Sequence, residues 1–138
     1  MTTQPPQGLE LSSAFVEAAR ALQATGALPY EIKSEGDLST QLCARVPSDI
    51  DRSRVRFDVG DAMALAPTLG AYDAILVANV LCRLPAPLDF LRRLVGGGAG
   101  PTRAEEGSSD VAGILRPGGL LMLTTPFSWK QEFTPKVR

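Results

Sequence analysis

Two short, unbroken apolar runs constrain the fold of this chain more than any other feature: Asp73-Ala74-Ile75-Leu76-Val77-Ala78 and Leu120-Leu121-Met122-Leu123-Thr124. Runs of this length between breakers fit strands covered on both faces, as in a parallel sheet flanked by helices. They fall far below the ~18 consecutive apolar residues of a membrane span. Consecutive parallel strands need a crossover, and the interval between these two holds a helix candidate from Pro87 to Leu94. Pro87 suits its first turn, and Leu88, Leu91 and Leu94 are spaced to share a face. The turn Pro117-Gly118-Gly119 introduces the second run.

The upstream half continues the alternation. Ser12 and Ser13 are N-cap candidates for a helix in which Phe15, Ala18, Ala19 and Leu22 recur at helical spacing, and Gly26 supplies its stop. Tyr30 to Ser34 and Leu38 to Val46 read as two short extended segments around the turn Glu35-Gly36-Asp37. Val55-Arg56-Phe57-Asp58-Val59 alternates with period two and stops at Gly60-Asp61, as a strand entering a loop does. Residues 96–113 are Gly-rich and poor in apolar side chains, a flexible insertion within one domain spanning 1–138. The whole predicts an α/β fold with a parallel sheet, in which ligands bind beyond the carboxyl ends of the strands. Attention therefore falls on Gly60 to Ala62, Asn79 to Arg83 and Thr125 to Trp129.

Composition narrows the chemistry. The 138 residues include no histidine, which removes Ser–His and Cys–His nucleophiles, a histidine base and histidine-ligated metal. Two cysteines, Cys43 and Cys82, are too few and too far apart for a zinc site or a disulfide scaffold and suit a reducing compartment. Fourteen Lys and Arg against fifteen Asp and Glu supply no basic field for nucleic acid or anionic lipid. The first residues carry neither a basic nor an apolar signal region, so the expected setting is cytoplasmic, away from membranes.

The strand ends resemble those of class I S-adenosylmethionine-dependent methyltransferases. Gly8-Leu9-Glu10-Leu11-Ser12 resembles the end of that family's second strand, Val59-Gly60-Asp61-Ala62 the end of its third, Tyr72 to Leu81 its fourth strand and following loop, and Leu115-Arg116-Pro117-Gly118-Gly119 the turn before its fifth. A narrower resemblance is carried by Asn79-Val80-Leu81-Cys82-Arg83-Leu84-Pro85, by Pro117 to Leu121, by Arg45-Val46-Pro47 with Asp51 to Val55, and above all by Thr125-Pro126-Phe127-Ser128-Trp129-Lys130-Gln131-Glu132-Phe133-Thr134-Pro135. These stretches are similar to the C-terminal domain of ovothiol biosynthesis enzymes, which methylates a ring nitrogen of a mercaptohistidine. The family's first strand and Gly-rich turn have no counterpart here. The resemblance thus implies a partial Rossmann-like sheet in an N-terminally truncated domain, with lineage and competence as separate expectations.

It also implies roles. Glu10 would accept the ribose hydroxyls of S-adenosylmethionine and Asp61 the adenine amino group, with Ala62 against the ring and Asn79 orienting the methionine end or the acceptor. Arg83, Phe127 and Trp129 would face the acceptor, a small molecule of the mercaptohistidine kind, the aromatic pair through stacking or attraction to the cationic donor. Each has a plainer reading: Glu10 as a residue favoured at a helix start, Asp61 and Asn79 as turn or cap residues, Arg83 as a surface charge, Phe127 and Trp129 as core aromatics. Two alternatives stay open: a methyltransferase for another small molecule, and a silent fragment that associates with a partner through an exposed sheet edge.

Overall fold

A computed structural model describes residues 5–96, 113–126 and 128–133. It is mixed α/β, with hydrogen bonding defining three two-stranded sheets, and it divides into two units, residues 1–61 and 62–138. Of the interval expected to be a flexible insertion, residues 97–112 lie outside the described residues.

The first unit begins with β1, Gln7–Glu10, which runs parallel to β4, Arg56–Val59, with Gln7 opposite Arg56 and Glu10 opposite Val59. Gly8 is required by close approach: a β-carbon there would stand 2.6 Å from Cδ1 of Phe57. Helix α1, Ser13–Thr25, follows β1. Ser12 takes the extended N-cap backbone, but its side chain makes no cap bond; its own N–H donates to Oε1 of Glu10 at 3.0 Å. The helix stops at Gly26, whose φ of 75° suits glycine and whose N–H donates to the Leu22 carbonyl at 2.8 Å.

The inward face of α1 differs from the one the spacing predicts. Val16 is buried and Ala18, Ala19 and Leu22 are half-buried, whereas Phe15 is 67% exposed. Polar anchors orient the helix. Arg20 donates from Nε to the Phe57 carbonyl at 2.8 Å, and Gln23 Nε2 donates to the carbonyls of Arg52 and Val55. In return Arg52 Nε donates to the Gln23 carbonyl at 2.8 Å, satisfying a carbonyl of the last turn.

Strands β2, Ala27–Glu35, and β3, Leu38–Arg45, form an antiparallel hairpin around Gly36, whose φ is 52°. β2 is longer than the segment the sequence predicts from Tyr30 to Ser34, starting directly after the helix stop, whereas β3 matches the predicted Leu38 to Val46 to within one residue. Glu31 and Gln41 pair across one face at 2.8 Å. Tyr30, Ile32 and Leu42 share the other face by register and remain exposed.

In the second unit β5, Tyr72–Ala78, lies parallel to β6, Leu115–Thr124, with α2, Pro87–Val95, between them in sequence. Pro87 occupies the first turn of α2, as predicted. The register passes from Tyr72 opposite Leu115 to Ala74 opposite Leu120, so Arg116 to Gly119 bulge out of the ladder. The Pro-Gly-Gly turn expected to precede the strand is therefore a bulge inside it, with Gly118 at φ 77°. Arg116 Nη1 spans back to both carboxylate oxygens of Asp73 at 2.7 and 2.8 Å.

Val77, Leu81, Leu84, Phe90, Leu94 and Ile114 form the core of this unit. Two expectations are corrected. Phe90 and Leu94, one turn apart, set the inward stripe of α2 with Leu91 beside them, leaving Leu88 63% exposed. Strand β5 is not covered on both faces: Ile75 and Val77 turn to the core, while Leu76 is 60% exposed beside Leu120 and Met122. Covering two faces takes helices on both sides, and α2 is the one α-helix among the described residues of this unit.

Candidate functional site

The carboxyl ends of the two parallel pairs hold the residues of interest. In the first unit the Gly60 N–H donates to the Glu10 carbonyl at 3.0 Å, extending the ladder one step past β4. The chain leaves the sheet at that point, so Glu10 and Asp61 belong to the same sheet end, both exposed. Glu10 Oε1 accepts the Ser12 N–H. A carboxylate has about four lone-pair positions, so this bond leaves Glu10 acceptor capacity for further donors.

In the second unit Ala62 opens a single 3-10 turn, Ala62–Ala64, and packs half-buried against the apolar core. Its expected partners Glu10 and Asp61 belong to the other unit. Asn79 follows β5 with a φ of 55°, in the left-handed region that Asn adopts more readily than most residues. Thr124 holds it there: the Asn79 N–H donates to the Thr124 carbonyl at 2.9 Å, and Thr124 Oγ1 donates to Asn79 Oδ1 at 3.5 Å. The Cys82 thiol in turn donates to the Asn79 carbonyl at 3.8 Å.

Arg83 closes the 3-10 turn Leu81–Arg83. Leu81, Cys82 and Leu84 around it are buried, so the backbone turns Arg83 outward. Its guanidinium carbon lies 4.9 Å from the ring centroid of Phe133, a cation–π contact worth about 0.5–1 kcal/mol where solvent reaches it. Phe133 is fixed by its own turn, its N–H donating to the Lys130 carbonyl at 3.1 Å. Trp129 lies exposed in the segment between β6 and that turn, and Phe127 lies outside the described residues.

The structure thus brings Glu10 and Asp61 to one sheet end and Asn79 and Arg83 to another. Sequence reasoning missed Thr124, which pins Asn79, and Phe133, which supports Arg83. Phe133 stood in the aromatic tail stretch, but residue order does not reveal which ring an arginine meets. Among the described residues no group of three or more His, Cys, Asp or Glu side chains could hold a metal ion, and no helix is long and apolar enough to cross a membrane. No protein-family model matches the chain, and no curated protein matches it.

Proposed function

We propose that the chain is part of a class I S-adenosylmethionine-dependent methyltransferase of the mercaptohistidine N-methyltransferase kind. The strand pairing is the observation that carries this reading. A doubly wound sheet of order 3-2-1-4-5-6 sets its second strand beside its third and its fourth beside its fifth, all parallel. The stretches that resemble those strands pair in that way: β1 with β4, and β5 with β6. The sequence has no match to the family's first strand, whose place in that order is between the second and the fourth. The reading carries a cytoplasmic setting, in keeping with the unbridged Cys43 and Cys82.

The chemistry of the residues at the first unit's sheet end supports the reading: Glu10, with acceptor capacity left after its bond to Ser12, would take ribose hydroxyls, and Asp61 would accept from the adenine amino group. When bound, S-adenosylmethionine supplies a methyl group on a sulfonium sulfur, open to displacement by a ring nitrogen. Such a displacement asks little acid–base chemistry of the protein and much alignment. A chain without histidine can meet that demand. Asn79, held by Thr124, presents a polar side chain at a defined position beyond β5, and Trp129 offers a ring for stacking against an acceptor.

Calorimetric titration of the 138-residue chain with S-adenosylmethionine tests the reading. Saturable one-to-one binding is expected, with Glu10→Ala and Asp61→Ala each weakening it by about tenfold. A folded chain that binds no cofactor would remove the reading for this chain. A second reading is favoured by the open face of Leu76, Leu120 and Met122 and by the edge of β5 that, among the described residues, pairs with no strand: a silent fragment that associates through that edge. Concentration-independent elution as a monomer would count against it.

A further inference from the structure

We propose that the outer edge of β2 pairs with β2 of a second copy of this chain, antiparallel about Ile32, so that Glu31 of each copy stands opposite Lys33 of the other. This pairing is independent of the methyl-transfer reading and uses a different edge from that of β5.

Strand β2 pairs with β3 along one edge, and among the described residues its other edge pairs with no strand. Which backbone groups face that outer edge follows from the register. The Val46 N–H donates to the Gly26 carbonyl at 2.9 Å, which makes Gly26 and Val46 a bonded pair, and bonded and non-bonded pairs alternate along an antiparallel ladder. Leu28, Tyr30 and Ile32 therefore turn their N–H and carbonyl groups towards β3, while Ala27, Pro29, Glu31 and Lys33 turn their backbone groups outward. Ala27 bears out the alternation, since its N–H and its carbonyl both meet Thr25 Oγ1, at 3.2 and 2.6 Å. That hydroxyl closes the edge at Ala27, and Pro29 has no N–H to offer. Beyond Lys33 the regular ladder is interrupted, its register shifting before Glu35. The stretch of edge left for a further strand is the one around Glu31 and Lys33.

Such an edge fits a copy of itself. With Ile32 opposite Ile32, each Glu31 meets a Lys33, and each of these pairs exchanges both of its N–H···O bonds. The two side chains lie on one face, where Gln41 Nε2 donates to Glu31 Oε2 at 2.8 Å and leaves its other oxygen for the ammonium. Opposite charges directly across a ladder attract and like charges repel. Sliding one copy by two residues, the smallest slip that keeps the faces together, sets Glu31 on Glu31 in one direction and Lys33 on Lys33 in the other. The charges thus select the register. On the reverse face the exposed Tyr30 of each copy comes within diagonal reach of Ile32 of the other.

Sedimentation velocity of the 138-residue chain over a concentration series tests this. The wild type is expected to pass from monomer to dimer as concentration rises. Glu31→Lys and Lys33→Glu each set like charges opposite one another and should each weaken the dimer by about tenfold. An equimolar mixture of the two variants restores opposite charges in both rows and should return the dimer to within about threefold of wild type, as should the double variant alone. In hydrogen exchange the amides of Glu31 and Lys33 should be fast in the dilute monomer and slow down as concentration rises, while that of Ile32, bonded within the hairpin, should not respond. A wild type that stays monomeric throughout, or a mixture no tighter than its separate variants, overturns the proposal. So does a dimer that both single variants leave intact, which would use another surface such as the edge of β5.

Discussion

Asp51 shows how much a single residue's surroundings decide. Its Oδ1 accepts both the Ser53 hydroxyl at 2.6 Å and the Ser53 N–H at 3.0 Å, capping the 3-10 turn Arg52–Arg54. The hydroxyl bond first, and the N–H bond second, hold its carboxyl below the ordinary aspartate value. A depressed acid contributes stability that is present above its unfolded pKa and is lost as pH falls through its folded one. Ser53→Ala should raise the Asp51 midpoint towards the ordinary value, read from the side-chain carboxyl carbon in an NMR titration; an unmoved midpoint would show that the hydroxyl bond does not form. Asn79 makes a related point. Its place after a strand was legible in the order of residues, but its left-handed backbone and its clasp by Thr124 were not, because Thr124 reaches it only through the β5–β6 pairing.

At the scale of elements, each expected helix and strand has a counterpart, and the errors are of facing and register. Helix periodicity marks a stripe, yet which side chain in it points inward depends on what lies opposite. Phe90 and Leu94 win over Leu88 in α2, and the polar anchors Arg20 and Gln23 turn Phe15 outward in α1. A matched pair of substitutions measures this. Leu94→Ala, at 1% exposure, should cost about 2–5 kcal/mol in urea unfolding. Leu88→Ala, at 63% exposure, should fall within about 0.5 kcal/mol of wild type. Comparable losses at both would place α2 with its other face inward.

Across the whole chain, apolar burial is uneven. The second unit gathers six buried side chains into its core, whereas Val16 is the one buried hydrophobic side chain among the described residues of the first. A hairpin exposed on both faces gains little from packing, and isolated hairpins are marginal in water. Amide hydrogen exchange should therefore be fast in β2 and β3 and slowest in β5, where Val77 anchors the core. Equal protection in the two would mean that the apolar side of the hairpin is covered in solution. The existence and order of the expected helices and strands, and the strand-end positions of Asp61, Asn79 and Arg83, were legible in the sequence alone, since caps, breakers and periodicity act over a few residues, while the strand end at Glu10 was legible only through the family resemblance. Only the tertiary structure decided that Leu76 is left open, that Pro117 to Gly119 bulge within a strand, and that Arg83 rests on Phe133. Each of these depends on partners distant in sequence that packing and strand pairing bring together.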